Sequence, residues 1–137
     1  MIGPNLNPTP TMIKIDAIAC TGYPVTNVAR ARAFYEGVLG LKPSTIFGEQ
    51  DGAAWIEYDI GPGTLAIASV GADKWKPSSD GPALAFEVAD FDGAIAHLQS
   101  HGVHFALEPV EFPSCRMACV HDPDGNQLTI HQRKTPA

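Results

Sequence analysis

Three side chains of this sequence have the chemistry of proton transfer and stand where strands could aim them: Glu87, His131 and Glu57. A carboxylate and an imidazole can act as base and acid, or hold a ligand by hydrogen bonds. The bland alternative makes Glu87 and His131 solvated strand ends. Cys20 carries a nucleophilic atom, but no neighbour suggests thiolate activation, and such a cysteine is commonly a small buried hydrophobe. Cys115 and Cys119 fall on one strand face, roughly 13 Å apart by strand rise, too far to pair. His97 and His101 stand four apart, a spacing that can chelate, with His104 following. The apolar stripe Phe91, Ala94, Ile95 and Leu98 turns both toward a helix flank, which favours a solvated face. His121 and His131 flank the last hairpin without an evident third ligand. Arg116 could clamp a carboxylate in a forked geometry or sit at the surface. Trp55 could stack on a ligand or pack in the core.

The elements that must position these groups fit one domain. The chain has 137 residues, 45% of them hydrophobic, enough for an unstapled core. Only 18% are charged, with a net charge of -6 and the nine Lys and Arg scattered. That pattern excludes the positive face nucleic acid requires. Three cysteines, and an N-terminus without a basic start and apolar run, point to a reducing, cytoplasmic setting. No stretch approaches the roughly 20 apolar residues of a membrane span. Residues 1–11, polar and Pro-rich, read as an arm.

The periodicity predicts a strand over Ile13–Thr21 and a helix from the Asn27 cap to Leu39, stopped at Gly40. Strands follow at 42–47, 53–60 and 64–70, with Gly61-Pro62-Gly63 turning between the last two. Residues 71–81 read as a connector. The order then repeats: a strand at 82–88, a helix capped by Asp90 and ended by Gly102, and strands at 103–107, 114–121 and 126–131. A tight turn at Asp122-Pro123-Asp124-Gly125 joins the last two. Sliding the chain by 63 places lays Val25 on Val88, Asn27 on Asp90 and Leu65 on Leu128. The predicted fold is therefore α+β: two tandem βαβββ modules curling a mixed sheet around one cavity. Module one covers 12–70 and module two 82–132, within a single domain over 12–132, and 133–137 form a tail.

The stretch Val25-Thr-Asn-Val-Ala-Arg-Ala-Arg-Ala-Phe-Tyr-Glu-Gly-Val-Leu-Gly-Leu resembles the first helix of the vicinal oxygen chelate superfamily. This group includes glyoxalase I, bleomycin resistance proteins and extradiol dioxygenases. The ending Asp122-Pro123-Asp124-Gly125-Asn126, followed by a strand, is similar to the family's last hairpin. The resemblance spans about residues 13 to 131 and implies the two-module fold, one concave site and a homodimer. Bulky Phe34, Tyr35, Val38 and Leu39, and the preorganised Pro turn, explain both motifs as packing and turn chemistry, so neither is a site.

Metal-dependent relatives place a ligand, usually His or Glu, on the first and last strand of each module. The resemblance puts those positions at Cys20, Ala66, Ala83 and Thr129. Two alanines, a neutral hydroxyl and one thiol make no site for a divalent ion, so no metal and no cofactor are expected. Alternation along strands gives a cavity wall of Cys20, Ala66, Ala83, Ala85, Glu87, Thr129 and His131, with Trp55 a candidate ligand-binding residue as a stacking platform. For strand 53–60 the face stays open: Trp55, Glu57 and Asp59, or Ile56, Tyr58 and Ile60. The expected function is metal-free binding of a small organic molecule, with sequestration of a drug or metabolite as its use. A metal-independent lyase or isomerase using Glu87, His131 or Glu57 is the alternative, followed by a metalloenzyme with displaced ligands.

Overall fold

A computed structural model describes residues 13–48, 53–71 and 73–134. The 1–11 arm and residues 135–137 of the tail lie outside that set. Strand β1 (Thr21–Pro24) leads to helix α1 (Val28–Arg32), which continues as π-helical turns over Ala33–Val38. Then come β2 (Pro43–Phe47), β3 (Trp55–Ile60) and β4 (Gly63–Ala68). The second set is β5 (Leu84–Glu87), α2 (Phe91–Ser100), β6 (Phe105–Glu111), β7 (Cys115–His121) and β8 (Gln127–Arg133). Each set makes a four-stranded mixed sheet, ordered β1-β4-β3-β2 and β5-β8-β7-β6. The first and last strand of each set pair in parallel and the rest antiparallel. The pairing Thr21↔Leu65 in one sheet matches Leu84↔Leu128 in the other, so the 63-residue repeat is a structural one.

Both helix caps form as the sequence predicts. Asn27 accepts the Arg30 amide at 2.9 Å and Asp90 accepts the Gly93 amide at 3.0 Å. Gly40 and Gly102 leave the helices at positive φ, 76° and 68°, where a side chain would be strained.

The first strand departs from its expected place. The parallel register sets Thr21 against Leu65, which puts position 19 against Gly63, where β4 begins. Residues 13–18 therefore run past the end of the sheet and find no partner strand within the described residues. Ile13, Ile15 and Ile18 are 86%, 82% and 80% exposed, and Cys20 is exposed rather than walled into a cavity. At the other end, β8 continues through Arg133, and β6 is longer than its expected five residues because it follows β7 down to Glu111↔Arg116.

The core lies on the helix side of both sheets. Tyr35, Ile56, Tyr58, Leu65 and Ile67 of module one meet Phe91, Leu98, Val120, Leu128 and Ile130 of module two in one buried cluster. Polar contacts bolt the modules together. The Tyr23 hydroxyl donates to the Gln127 carbonyl (2.8 Å) and accepts the Leu84 amide (2.6 Å). Asn126 Nδ2 donates to the Pro24 carbonyl at 2.8 Å.

Candidate functional site

Because Ile56, Tyr58, Leu65 and Ile67 face the helices, the opposite face of module one carries their alternates. That decides β3: Trp55, Glu57 and Asp59 are on the open face. Strand pairing arranges that face in rows. Gly22, Ala66, Glu57 and Thr45 make one row, and Pro24, Ala68, Trp55 and Phe47 the next. Module two has the equivalent rows, Ala85, Thr129, Cys119 and Leu107, then Glu87, His131 and Met117.

In module two the structure brings Glu87 and His131 together. Parallel pairing places them side by side, and His131 Nδ1 lies 2.6 Å from Glu87 Oε1. The other carboxylate oxygen accepts the Arg133 amide at 2.7 Å. That backbone N–H, and after it the His131 hydrogen bond, hold the Glu87 carboxyl below the usual carboxylate range. An ionised carboxylate has no proton to give, so Nδ1 of His131 is the donor. In the neutral ring, Nε2 then carries a lone pair that can accept a proton or a ligand hydrogen bond. The two are thus a buttressed pair rather than independent strand ends.

Module one is arranged differently. Trp55 Nε1 donates to Glu57 Oε2 at 2.7 Å, so the two side chains hold one another on the open face. The connector adds a residue that sequence reasoning missed. A Cβ built on Gly22 would stand 3.1 Å from Cη2 of Trp75, so the connector's indole rests on the small-residue row. Ala66 and Ala68 beside it are buried. Cys119, considered in the sequence only for pairing with Cys115, also belongs to this face. It is buried on the open-face row with its Sγ 3.5 Å from Thr129 Oγ1. The sequence holds no signal for either contact, since both depend on register and on the path of a loop.

Ala83 precedes β5 and, like Ala85, is exposed on this face. Two cavities reach Glu87. One of about 350 Å³ lies along the seam of β1 and β5, lined by Ile18, Thr21, Thr64, Ala85 and Phe86 among others. The other, about 300 Å³, lies between the end of the first helix and α2, lined by Leu39, Ile60, Val88 and His97 among others. Neither includes Trp55, Glu57 or Ala66.

The remaining candidates are engaged elsewhere. His97 Nε2 is 2.7 Å from the Val38 carbonyl. Arg116 pairs with Asp92 (2.5 Å) and Glu111 (3.3 Å) and lies 4.5 Å over the Phe91 ring. Among the described residues, no group of three or more His, Cys, Asp or Glu stands close enough to hold a metal ion.

The family model described as the Glyoxalase/Bleomycin resistance protein/Dioxygenase superfamily matches residues 14–130. The chain belongs to this superfamily. Solved structures of similar fold include TnmS3, an antibiotic binding protein from Streptomyces sp. CB03234, at 23% identity and a TM-score of 0.73, covering 90% of this chain and 100% of that one. A glyoxalase/bleomycin resistance protein from the same Streptomyces strain is 24% identical, with a TM-score of 0.67 over 85% and 100% of the two chains. The glyoxalase family protein from Enterococcus faecalis is 23% identical, with a TM-score of 0.65 over 84% and 96%. No curated protein sequence matches the chain. Superfamily membership accounts for the paired βαβββ sheets, and at these identities the likeness to each solved structure is one of fold. No described helix is long and apolar enough to cross a membrane.

Proposed function

We propose that this protein is a cytoplasmic homodimer that binds a small organic molecule on its open sheet faces without a divalent metal, sequestering a drug or metabolite. One observation carries the reading. On the first and last strands of each module, the paired open-face positions hold Gly22 and Ala66 in one sheet and Ala85 and Thr129 in the other. Three of these have no side-chain donor atom, and a neutral hydroxyl is a poor ligand for a hard cation. The expected positions Cys20 and Ala83 lie two residues earlier on the same alternation and add only an exposed thiol and a methyl group. These residues do not fit the family's metal. The same small side chains leave room for a bulky or planar ligand, with Trp55 and Glu57 on one face and Glu87 and His131 on the other to orient it. The antibiotic-binding TnmS3 is compatible with this use of the fold.

The exposed isoleucines favour a second copy. Ile13, Ile15 and Ile18 present apolar side chains to solvent, which a partner chain would cover. Native mass spectrometry of protein purified without chelator tests both points. A dimer carrying an organic adduct and no ion is expected. An ion held by open-face residues, or a monomer that takes up no organic ligand from a panel of planar drugs and metabolites, would overturn the proposal.

The Glu87–His131 contact supports a second reading, a metal-independent lyase or isomerase with Nε2 of His131 as base. Glu87→Gln decides between them. Lost turnover with unchanged affinity favours the enzyme, whereas the binder has no turnover to lose.

A further inference from the structure

The two sheets turn bare edges toward one seam. Just after β5 the Val88 amide donates to the His131 carbonyl at 2.8 Å. The even-numbered residues there thus aim their backbone groups at β8, and Ala85 and Glu87 aim theirs outward. Just after β1 the Val25 amide donates to the Ala68 carbonyl at 2.8 Å, so Gly22 turns its backbone groups away from β4 in the same manner. Among the described residues, no strand pairs with either outer edge. The Tyr23 hydroxyl ties β1 to the start of β5 at Leu84. The seam groove of about 350 Å³ has Ile60, Leu65 and Phe86 on its helix side and Thr64, Ala85 and Glu87 on its open side. Ile18 also lines it, so the unpaired segment before β1 departs from this groove. In that segment Ile13, Ile15 and Ala17 alternate with Lys14 and Asp16, the pattern of a strand with one apolar and one polar face.

We propose that residues 13–18 of one copy enter the seam groove of a second copy and pair with the outer edge of its β5, reciprocally about a two-fold axis. The inference rests on the homodimer proposed above and states how it is built. An unpaired strand and an unpaired edge each lack what the other supplies, backbone hydrogen-bonding partners. The side chains fit in the same sense. Ile13, Ile15 and Ala17 go to the apolar side, against Ile60, Leu65 and Phe86, and so leave water. Lys14 and Asp16 then join Ala85 and Glu87 on the open face. Each ligand-binding face is therefore completed by two charged side chains of the other copy. Within its own chain the segment leads away from the groove, leaving Ile13 and Ile15 86% and 82% exposed.

The test is amide hydrogen exchange on the full chain, read residue by residue by nuclear magnetic resonance, with light scattering for the oligomeric state. The parent should be a dimer and the double variant I13D/I15D a monomer. The Ala85 and Glu87 amides should exchange at least roughly tenfold more slowly in the parent than in that variant. The variant I46D/F47D, at the far edge of the first sheet, should stay dimeric with both amides protected. Circular dichroism on each variant shows that the fold is retained. A dimer whose Ala85 and Glu87 amides exchange as fast as in I13D/I15D would overturn the exchange and leave the dimer standing. So would a dimer lost in I46D/F47D but kept in I13D/I15D. A monomeric parent would overturn both.

Discussion

The Tyr35 hydroxyl, from the first helix of module one, donates to Asp122 Oδ2 in the last hairpin of module two at 2.9 Å, with both residues buried. The Phe-Tyr of the helix and the Asp-Pro-Asp-Gly of the turn are thus two halves of one bolt. Tyr35→Phe removes the hydroxyl and leaves a buried carboxylate one donor short. A loss of about 1 to 3 kcal/mol in unfolding free energy is expected, read by urea titration, with ligand affinity unchanged. A loss near zero would mean the bolt is not a structural contact.

The same bond has an alkaline signature. Burial first, then the Asp122 charge and hydrogen bond, push the Tyr35 hydroxyl far above its ordinary value of 10.0. Tyr58 is raised too, by burial and then by its hydrogen bond to Glu36. A group whose folded pKa is raised contributes stability below its unfolded pKa and loses it above. Stability should therefore fall as pH rises beyond 10, and tyrosinate absorbance should report these residues only as the chain unfolds. Ionisation of all tyrosines near pH 10 in folded protein would contradict this.

Glu87 has the opposite sign. Its carboxyl is held low by the Arg133 amide and then by His131, so the pair's contribution is present above the ordinary carboxylate pKa of 4.5 and fades as pH falls through the lowered value. Glu87→Gln frees the His131 ring to rotate. Ligand affinity is expected to drop by roughly fivefold to tenfold, about one neutral hydrogen bond, and His131→Ala to drop it similarly. If both variants bind as the parent does, the pair has no part in ligand recognition.

Gly22 and Trp75 make a separate test. A methyl group at residue 22 would sit 3.1 Å from the indole, close enough to push it by a few tenths of an ångström. Gly22→Val should displace Trp75, red-shifting tryptophan emission as the indole, 39% exposed in place, becomes solvated. Unshifted emission would mean that Trp75 rests elsewhere.

The proposed dimer depends on Ile13, Ile15 and Ile18. Replacing all three by Asp should leave the core intact, because none of them touches it, and give a monomer by light scattering. Zinc, nickel, iron or manganese retained at one equivalent by protein purified without chelator would count against the metal-free reading.

Much of this was legible beforehand. Asn27 and Asp90 announce helix starts by local hydrogen bonding, and Gly40 and Gly102 announce exits by their backbone freedom. Both are effects within a few residues, so single-sequence reasoning reaches them. The alternation of Leu84, Phe86 and Val88 against Ala85 and Glu87 likewise identified two faces. Where both faces are mixed, as in Trp55–Ile60, alternation cannot choose, and the burial of Ile56 and Tyr58 against the helices did. The β1 strand was displaced because Ile13–Cys20 has the composition of a strand, while the end of β4 determines where a parallel partner can pair.

By itself the sequence determined the repeat, the helix limits, the superfamily and the absence of ligating side chains at the expected metal positions, all consequences of residue type and spacing. The tertiary structure decided which residues meet: Glu87 with His131, Trp75 over Gly22, Tyr35 on Asp122. Each of these contacts joins different strands or modules, and strand register, which one residue of slip would invert, is a property of the assembled sheet rather than of any segment.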